Sequence, residues 1–70
     1  MNRIRVVSTN IRSVGYEAAE RILELEFTSG SIYRYFDVPE SEYEALMTAP
    51  SKGRYLNKNI KDCYQYVQVK

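Results

Sequence analysis

The stretch from Arg21 to Pro39 constrains the fold more than any other part of the chain, because two strand-like segments are separated by residues typical of a turn. Its first half places apolar residues at every second position, namely Leu23, Leu25 and Phe27. This is the pattern of a half-buried β-strand. After the turn residues Ser29 and Gly30, residues 32–36 are a second run rich in β-branched and aromatic side chains. The stretch therefore predicts a β-hairpin.

The turn decides which side chains of the hairpin share a face. A two-residue type I′ turn needs positive φ at Ser29 as well as at Gly30, whereas a three-residue loop with a glycine bulge needs it at Gly30 alone. We therefore predict the three-residue loop. The cross-strand pairs are then Leu25–Tyr33 and Leu23–Tyr35 on the core face, and Glu24–Arg34 on the other. Both tyrosines are expected in the core with their hydroxyls at its rim, and Glu24 and Glu26 on the wet side of the sheet.

Further strands are expected on both sides of the hairpin. Residues 11–16 predict a strand, with Gly15 as either a bulge or a point of close backbone approach. Residues 17–20 form the loop into the hairpin, so three strands make an antiparallel meander. Residues 3–7 are either a short edge strand or a loose arm. Residues 63–70 alternate as a final strand would, or form an extended tail packed on the surface.

A first helix is predicted after the hairpin, beginning at Pro39, where the missing N–H costs nothing, and ending at Ala49-Pro50. Three apolar residues at helical spacing form one stripe along it: Tyr43, Leu46 and Met47. Three acidic residues lie in its early turns, where negative charge suits the helix dipole: Glu40, Glu42 and Glu44. We interpret these carboxylates as a solvated face rather than a metal or acid–base cluster, because Glu42 points away from the other two.

The second helix, predicted from Lys52 to about Lys61 with Ser51 as its N-cap, breaks local rules. Its buried stripe is expected to be Gly53, Leu56 and Ile60, with the costly glycine kept for a close backbone approach. A second stripe of cations lies on the adjacent exposed side, formed by Arg54, Lys58 and Lys61, with Asn57 at the border. Lys52 and Arg54 oppose the helix dipole, and Arg54 repels Lys58. Such violations are typical of functional sites.

These cations beside a helix N-terminus predict an anion-binding site, and two tyrosines would add faces for base stacking. The candidate nucleic-acid-binding residues are Lys52, Arg54, Tyr55, Asn57, Lys58, Lys61 and Tyr64. The alternative is a solvated basic helix that pairs with the acidic first helix.

Composition narrows the classes of function. The net charge of the 70 residues is +1, but residues 1–50 carry −3 and residues 51–70 carry +4, an asymmetry typical of a chain with an anionic partner. The chain has no histidine, which removes the usual zinc sites and catalytic triads, so neither a metal nor a cofactor is expected. Its one cysteine, Cys63, is interpreted as a small semi-buried side chain in a reducing cytoplasm. Neither a signal peptide nor a membrane span is expected.

The chain resembles the KTSC domain, named from the C-terminal extension of some lysyl-tRNA synthetases and also found as a small stand-alone protein. The matching segments are residues 11–16, 23–27, Gly30, 33–35, Val38-Pro39 and 49–53, with Tyr55, Asn57 and Ile60. The resemblance implies that residues 1–70 are a single domain of this kind. It implies no established activity; RNA binding has been suggested for the family, partly from the synthetase context.

The sequence predicts an α+β fold, a three- or four-stranded antiparallel sheet with two helices packed on one face. The predicted function is a nucleic-acid-binding module, with RNA preferred, that uses the basic helix 51–61. The alternative is a protein–protein interaction module that adds a strand to an exposed sheet edge. Salt separates the two, because phosphate binding weakens steeply with ionic strength. An enzyme is not expected; the remaining catalytic interpretation is a histidine-free ribonuclease that uses lysine, arginine and tyrosine.

Overall fold

The fold is an antiparallel sheet of five strands with two helices on one face, and the computed structural model describes residues 2–70 of it. The strands are β1 (Arg3–Arg5), β2 (Ile11–Glu17), β3 (Ile22–Phe27), β4 (Ile32–Tyr35) and β5 (Tyr66–Gln68). The helices are α1 (Glu40–Thr48) and α2 (Lys52–Tyr55), and α2 continues directly into a π-helical turn (Leu56–Ile60). We call α2 and the π turn together the second helix.

Each strand pairs with its neighbours in chain order, so the predicted meander extends to both ends of the chain. The prediction of three or four strands was too small, because β1 and β5 both join the sheet. Each has only three residues, all of them exposed, so neither strand carries a buried side chain that would have distinguished it from a loose arm or tail. Beyond β5, Lys70 stays beside the sheet, where its carbonyl oxygen accepts a 2.9 Å hydrogen bond from the Ile32 N–H.

The central hairpin has the predicted turn and register. Gly30 has a φ of 98°, and the Phe27 N–H donates to the Ser31 carbonyl oxygen at 2.9 Å across the three-residue loop. The predicted pairs are all present: Leu23 with Tyr35, Glu24 with Arg34, and Leu25 with Tyr33. The core prediction for the tyrosines is confirmed for Tyr35, which is 3% exposed, whereas Tyr33 is half-buried at the edge of the core.

The bulge of β2 lies at Arg12 and not at Gly15. The pairing with β3 shifts between Ile11 and Ser13, whereas Gly15 pairs regularly with both neighbouring strands. The extra residue lets Ile11 and Val14 both enter the core while Ser13 joins the outer face of the sheet.

The outer face of the sheet is not simply a wet surface, contrary to the prediction for Glu24. Glu24 is only 3% exposed. Its carboxylate accepts one hydrogen bond from Arg34 Nε at 2.7 Å and another from Arg3. Ser13 Oγ accepts from Arg3 Nε at 3.0 Å and donates to Glu26 at 2.8 Å. The arginine of β1, ten or more residues distant in sequence from its partners, helps to cover this carboxylate.

The core lies between the sheet and the helices. Its buried members are Ile11, Val14, Leu23, Leu25, Tyr35, Val38, Leu46, Leu56 and Ile60. The predicted stripe of α1 is confirmed, since Leu46 is buried and Tyr43 and Met47 pack against the core. Tyr43 also stacks on Tyr16 at a centroid distance of 4.9 Å.

The second helix changes pitch halfway along. Ser51 caps it as predicted, accepting from the Arg54 N–H at 3.3 Å. The Lys61 N–H then donates to the Leu56 carbonyl oxygen at 2.9 Å, five residues back, which is a π-type bond. The predicted extent of the helix, from Lys52 to about Lys61, is therefore confirmed, but its last turn is π-helical rather than α-helical. Cys63, on the following turn, is exposed rather than semi-buried, because the chain leaves the core there.

Gly53 lies directly against the side chain of Asn10. A Cβ built there would lie 2.5 Å from Asn10 Oδ1, which is the end of an exposed side chain in the β1–β2 loop, so the predicted close approach of a backbone from the sheet or α1 is wrong. Gly53→Leu is expected to lower the free energy of unfolding by about 1 kcal/mol, the lower end for overpacking, because the Asn10 side chain can move aside at the cost of its hydrogen bond with Ser8. Urea denaturation would measure it against Arg54→Leu, which adds leucine at the adjacent exposed position. Equal or higher stability of Gly53→Leu would contradict the prediction.

Candidate nucleic-acid interface

A cavity of about 410 Å³ opens between the second helix and the strands β3, β4 and β5. We call it the aromatic pocket; it is lined by Asn10, Phe27, Thr28, Ser29, Ser31, Tyr33, Tyr35, Leu56, Asn57, Lys61 and Tyr66. Strand register explains its wall, because Tyr66 pairs with Tyr35 and both side chains therefore project from the helix-bearing face.

Four aromatic rings form a continuous row along this wall. Phe27 meets Tyr33 edge-on with centroids 5.5 Å apart. Tyr66 lies 5.5 Å from Tyr33 and 5.4 Å from Tyr35, with ring planes inclined by 41° and 38°. The inclined planes leave ring faces directed at different angles along the wall. Tyr66 is 52% exposed, so the row reaches the surface.

A second, shallower cavity of about 480 Å³ lies on the other side of two asparagines. We call it the basic pocket; it is lined by Thr9, Asn10, Ser51, Gly53, Arg54, Asn57 and Lys58. Asn10 and Asn57 line both pockets, so the two cavities meet at their side chains. Ser8 Oγ donates to Asn10 Oδ1 at 3.1 Å and so orients that amide.

The cations of the second helix differ from those of the outer sheet face in their partners. Arg3 and Arg34 both pair with Glu24, and Arg12 lies 3.8 Å from Glu26. Within residues 2–70 no ion pair engages the three cations at the pockets, Arg54, Lys58 and Lys61. Among the described residues, the basic second helix therefore forms no ion pair with the acidic first helix, contrary to the alternative prediction.

The structure brings together only some of the candidate residues. Arg54, Asn57 and Lys58 share the basic pocket, and Lys61 joins Asn57 at the aromatic pocket. The π turn explains this division, because it rotates Lys61 off the line of the other two cations. Lys52 is half-buried, and its Nζ lies 3.4 Å from the carbonyl oxygen of Ala49.

Tyr55 and Tyr64 meet elsewhere, at Glu42 of α1. Both hydroxyls donate to the Glu42 carboxylate, that of Tyr64 at 2.9 Å. The hydrogen bond to Glu42 raises the pKa of Tyr55 to about 12, with burial and the carboxylate charge adding to it. Burial and then the same carboxylate raise the pKa of Tyr64. The prediction that Glu42 is solvated was therefore wrong, since it ties α1 to the second helix and to the segment before β5.

Asn10, Phe27 and Tyr66 belong to the site although sequence reasoning did not select them. Asn10 looks like a strand breaker, and Phe27 looks like the last core residue of its strand. Tyr66 could be placed only by knowing that β5 pairs with β4. The sequence signal for Tyr66 was the alternation Tyr64-Gln65-Tyr66, in which two tyrosines two residues apart would share one face of a strand.

Within the described residues 2–70, no group of three or more histidine, cysteine, aspartate or glutamate side chains is arranged to hold a metal ion. In the same part of the chain, no helix has the length and apolar content needed to cross a bilayer.

Comparison with known proteins identifies the relatives of this chain. The family model of the KTSC domain matches residues 7–66. A protein of Stutzerimonas stutzeri is 41% identical over 70 residues, covering 99% of each chain. A lysine–tRNA ligase of Nostoc sp. is 49% identical over 59 residues, which are 84% of this chain and 10% of that protein. The crystal structure of a KTSC domain protein from Yersinia pestis superposes with a TM-score of 0.96 at 35% identity, covering 99% of this chain and 97% of that one.

Proposed function

This chain belongs to the KTSC domain family, and from that premise we propose that it binds nucleic acid, with RNA preferred, through the cations of its second helix. The observation that carries the proposal is the grouping of Arg54, Lys58 and Lys61 around two adjoining pockets, without an ion pair in residues 2–70. Cations that have no acidic partner lose no ion pair when they bind phosphates, and they release the counterions of the nucleic acid.

The relatives favour RNA over DNA. A segment of a lysine–tRNA ligase, an enzyme named for a tRNA substrate, is 49% identical to 59 residues of this chain. The chain spans only 10% of that ligase, so tRNA itself is not assigned as the ligand. Polar side chains beside the cations, including Ser51 and Asn57, are groups that commonly contact the phosphate and sugar of a nucleic acid.

Charge removal at the pockets is expected to weaken binding and flatten its salt dependence. In the variant Arg54→Gln/Lys58→Gln/Lys61→Gln, the slope of log affinity against log salt should fall by about one unit for each lost phosphate contact. Fluorescence anisotropy of labelled RNA at two salt concentrations would measure this. Lys52→Gln should have a smaller effect, because Lys52 faces the Ala49 carbonyl group. Folding stability should hold or rise slightly, since Arg54 and Lys58 repel each other.

A variant with the same net charge provides the control. Arg5→Gln/Arg21→Gln/Lys70→Gln removes three exposed cations that line neither pocket, so it should keep most of the affinity. Equal losses of affinity in both variants would mean that binding depends only on net charge and would contradict a site at the two pockets. The absence of any wild-type binding at low salt would refute the proposed function.

The second candidate, a protein partner added at a sheet edge, has one observation in its favour. The segment at and after β5 exposes Tyr66, Val67 and Val69 at 52%, 46% and 45%. Edge strands with exposed apolar residues are suited to pairing with another chain. Binding of this kind would depend little on salt, which the same titration distinguishes from phosphate binding.

A further inference from the structure

We propose that the aromatic pocket takes one unpaired nucleobase, so that the ligand of this chain is single-stranded rather than duplex nucleic acid. This inference rests on the proposed function and adds to it the class of ligand. It assigns the base to the aromatic pocket and the flanking phosphates to Lys61 on one side and to the basic pocket on the other.

The size and wall of the pocket fit a planar aromatic group. Its volume of about 410 Å³ lies within the range of roughly 300–1,000 Å³ found for small-molecule pockets. Its wall is the row of four rings, and Tyr66 at its open end is half exposed. Stacking on such rings holds single-stranded bases with little regard to sequence, because each base has a π-face.

The two asparagines at the junction supply hydrogen-bonding groups for the edge of a base. An asparagine amide carries two donors and one acceptor, which matches the mixed donors and acceptors of base edges. The Asn57 side chain is exposed, so its amide is accessible to a ligand. The Asn10 Oδ1 atom accepts a hydrogen bond from Ser8, and its side chain lies against Gly53, where it lines both pockets beside Asn57.

The charges around the pockets fit a base with a phosphate on either side. Among the described residues that line the two pockets, three are cationic and none is acidic. The pKa of Tyr35 is raised, mainly by burial. The charges of Tyr66, Tyr33 and the nearby acid Asp62 raise it further. Tyr35 therefore stays protonated at neutral pH and adds no negative charge to the wall.

The walls of the pocket favour an unpaired base over a base pair. The second helix stands on one side, and hairpin-loop residues Thr28 and Ser29 stand on another. A base in a duplex has its faces covered by stacking and its pairing edge occupied, so it can enter such a pocket only when splayed out of the strand.

The test compares single-stranded RNA, duplex RNA of the same length and a mononucleotide, each at low salt, with wild type and two pocket variants. Tyr66→Leu keeps an apolar wall but removes the ring face, and Asn57→Ala removes the amide; both positions are exposed. Tyr66→Phe is the matched control, and thermal melting checks that all variants fold. A single-stranded RNA carrying one 2-aminopurine reports stacking by its fluorescence.

We expect wild type to prefer single-stranded to duplex RNA and to quench 2-aminopurine. Tyr66→Leu should lose about tenfold in affinity for the single strand and most of the quenching, while the salt slope stays unchanged. Asn57→Ala should weaken single-strand binding, and Tyr66→Phe should behave as wild type. Salt-dependent binding with equal affinity for duplex and single strand, unchanged in Tyr66→Leu, would overturn the base pocket and leave the proposed function standing. A mononucleotide that binds as tightly as the strand would overturn the assignment to a strand, and no binding by any RNA would refute both proposals.

Discussion

Tyr35→Ala is expected to lower the free energy of unfolding by about 3–5 kcal/mol, the cost of removing a buried aromatic side chain. Tyr35 is 3% exposed and lies in the core cluster, opposite Leu23 on the neighbouring strand. Its ring also supports Tyr66 across β4 and β5. Native domains have a total stability of roughly 5–15 kcal/mol, so the loss would remove a large fraction of it. Urea denaturation followed by circular dichroism would measure it.

Two neighbouring tyrosines provide graded controls for this prediction. Tyr33→Ala should cost less, because Tyr33 is half-buried and its hydroxyl reaches Gln68 at the rim. Tyr66→Ala should cost least, because Tyr66 is 52% exposed. A Tyr35→Ala protein as stable as wild type would contradict the prediction and show that the Tyr35 ring contributes nothing to core packing.

The hairpin was predictable because its information is local. Gly30 alone can take positive φ at no cost, and that single preference fixes the turn and with it the register of every cross-strand pair. Ser51 as an N-cap and the stripe of Leu56 and Ile60 are local signals in the same sense, and both are present in the structure.

The features that sequence reasoning missed depend on partners distant along the chain. Glu24 looks exposed in an alternating strand until Arg3 of β1 covers it, and Glu42 looks solvated until Tyr55 and Tyr64 reach it. The π turn has no marker in helical periodicity, yet it decides that Lys61 faces a different pocket from Arg54.

The candidate site divides in the same way. Its cations were predictable, since they violate the helix dipole and repel one another within a single segment. Its aromatic wall was not, because the wall joins residues from β3, β4 and β5. The sequence predicted both tyrosines of β4 to be core residues. In the structure Tyr35 is a core residue whose ring also lines a cavity.

The buried carboxylate of Glu24 leads to the second prediction of large effect. Burial alone would raise its pKa, but the hydrogen bonds and charges of Arg34 and Arg3 hold the pKa below 4.5. In the variant Arg3→Met/Arg34→Met the carboxylate stays in place without a cation. We expect the free energy of unfolding at neutral pH to fall by about 3 kcal/mol, the lower end of the range for a broken buried pair. The lower end applies because both arginines are partly exposed, so water reaches this face.

The pH dependence of stability separates lost ion pairing from lost packing. In wild type the pKa of Glu24 is lowered, so its stabilisation is present above pH 4.5 and disappears as the pH falls through the folded-state pKa. In Arg3→Met/Arg34→Met burial acts alone and raises the pKa, so stability should instead decline as the pH rises through that higher value. The slope from Glu24 therefore reverses its sign.

Removing the carboxylate itself completes the test. Glu24→Leu added to Arg3→Met/Arg34→Met should recover most of the lost stability and abolish the contribution of Glu24 to the pH dependence, because an apolar set can replace a buried ionic one. Arg5→Met/Arg12→Met is the matched control, since it removes two arginines of β1 and β2 that form no ion pair with Glu24. Chemical denaturation from acid to neutral pH would measure all four proteins. If Arg3→Met/Arg34→Met kept the pH dependence of wild type, Glu24 would be hydrated in solution and the arginines would contribute only surface charge.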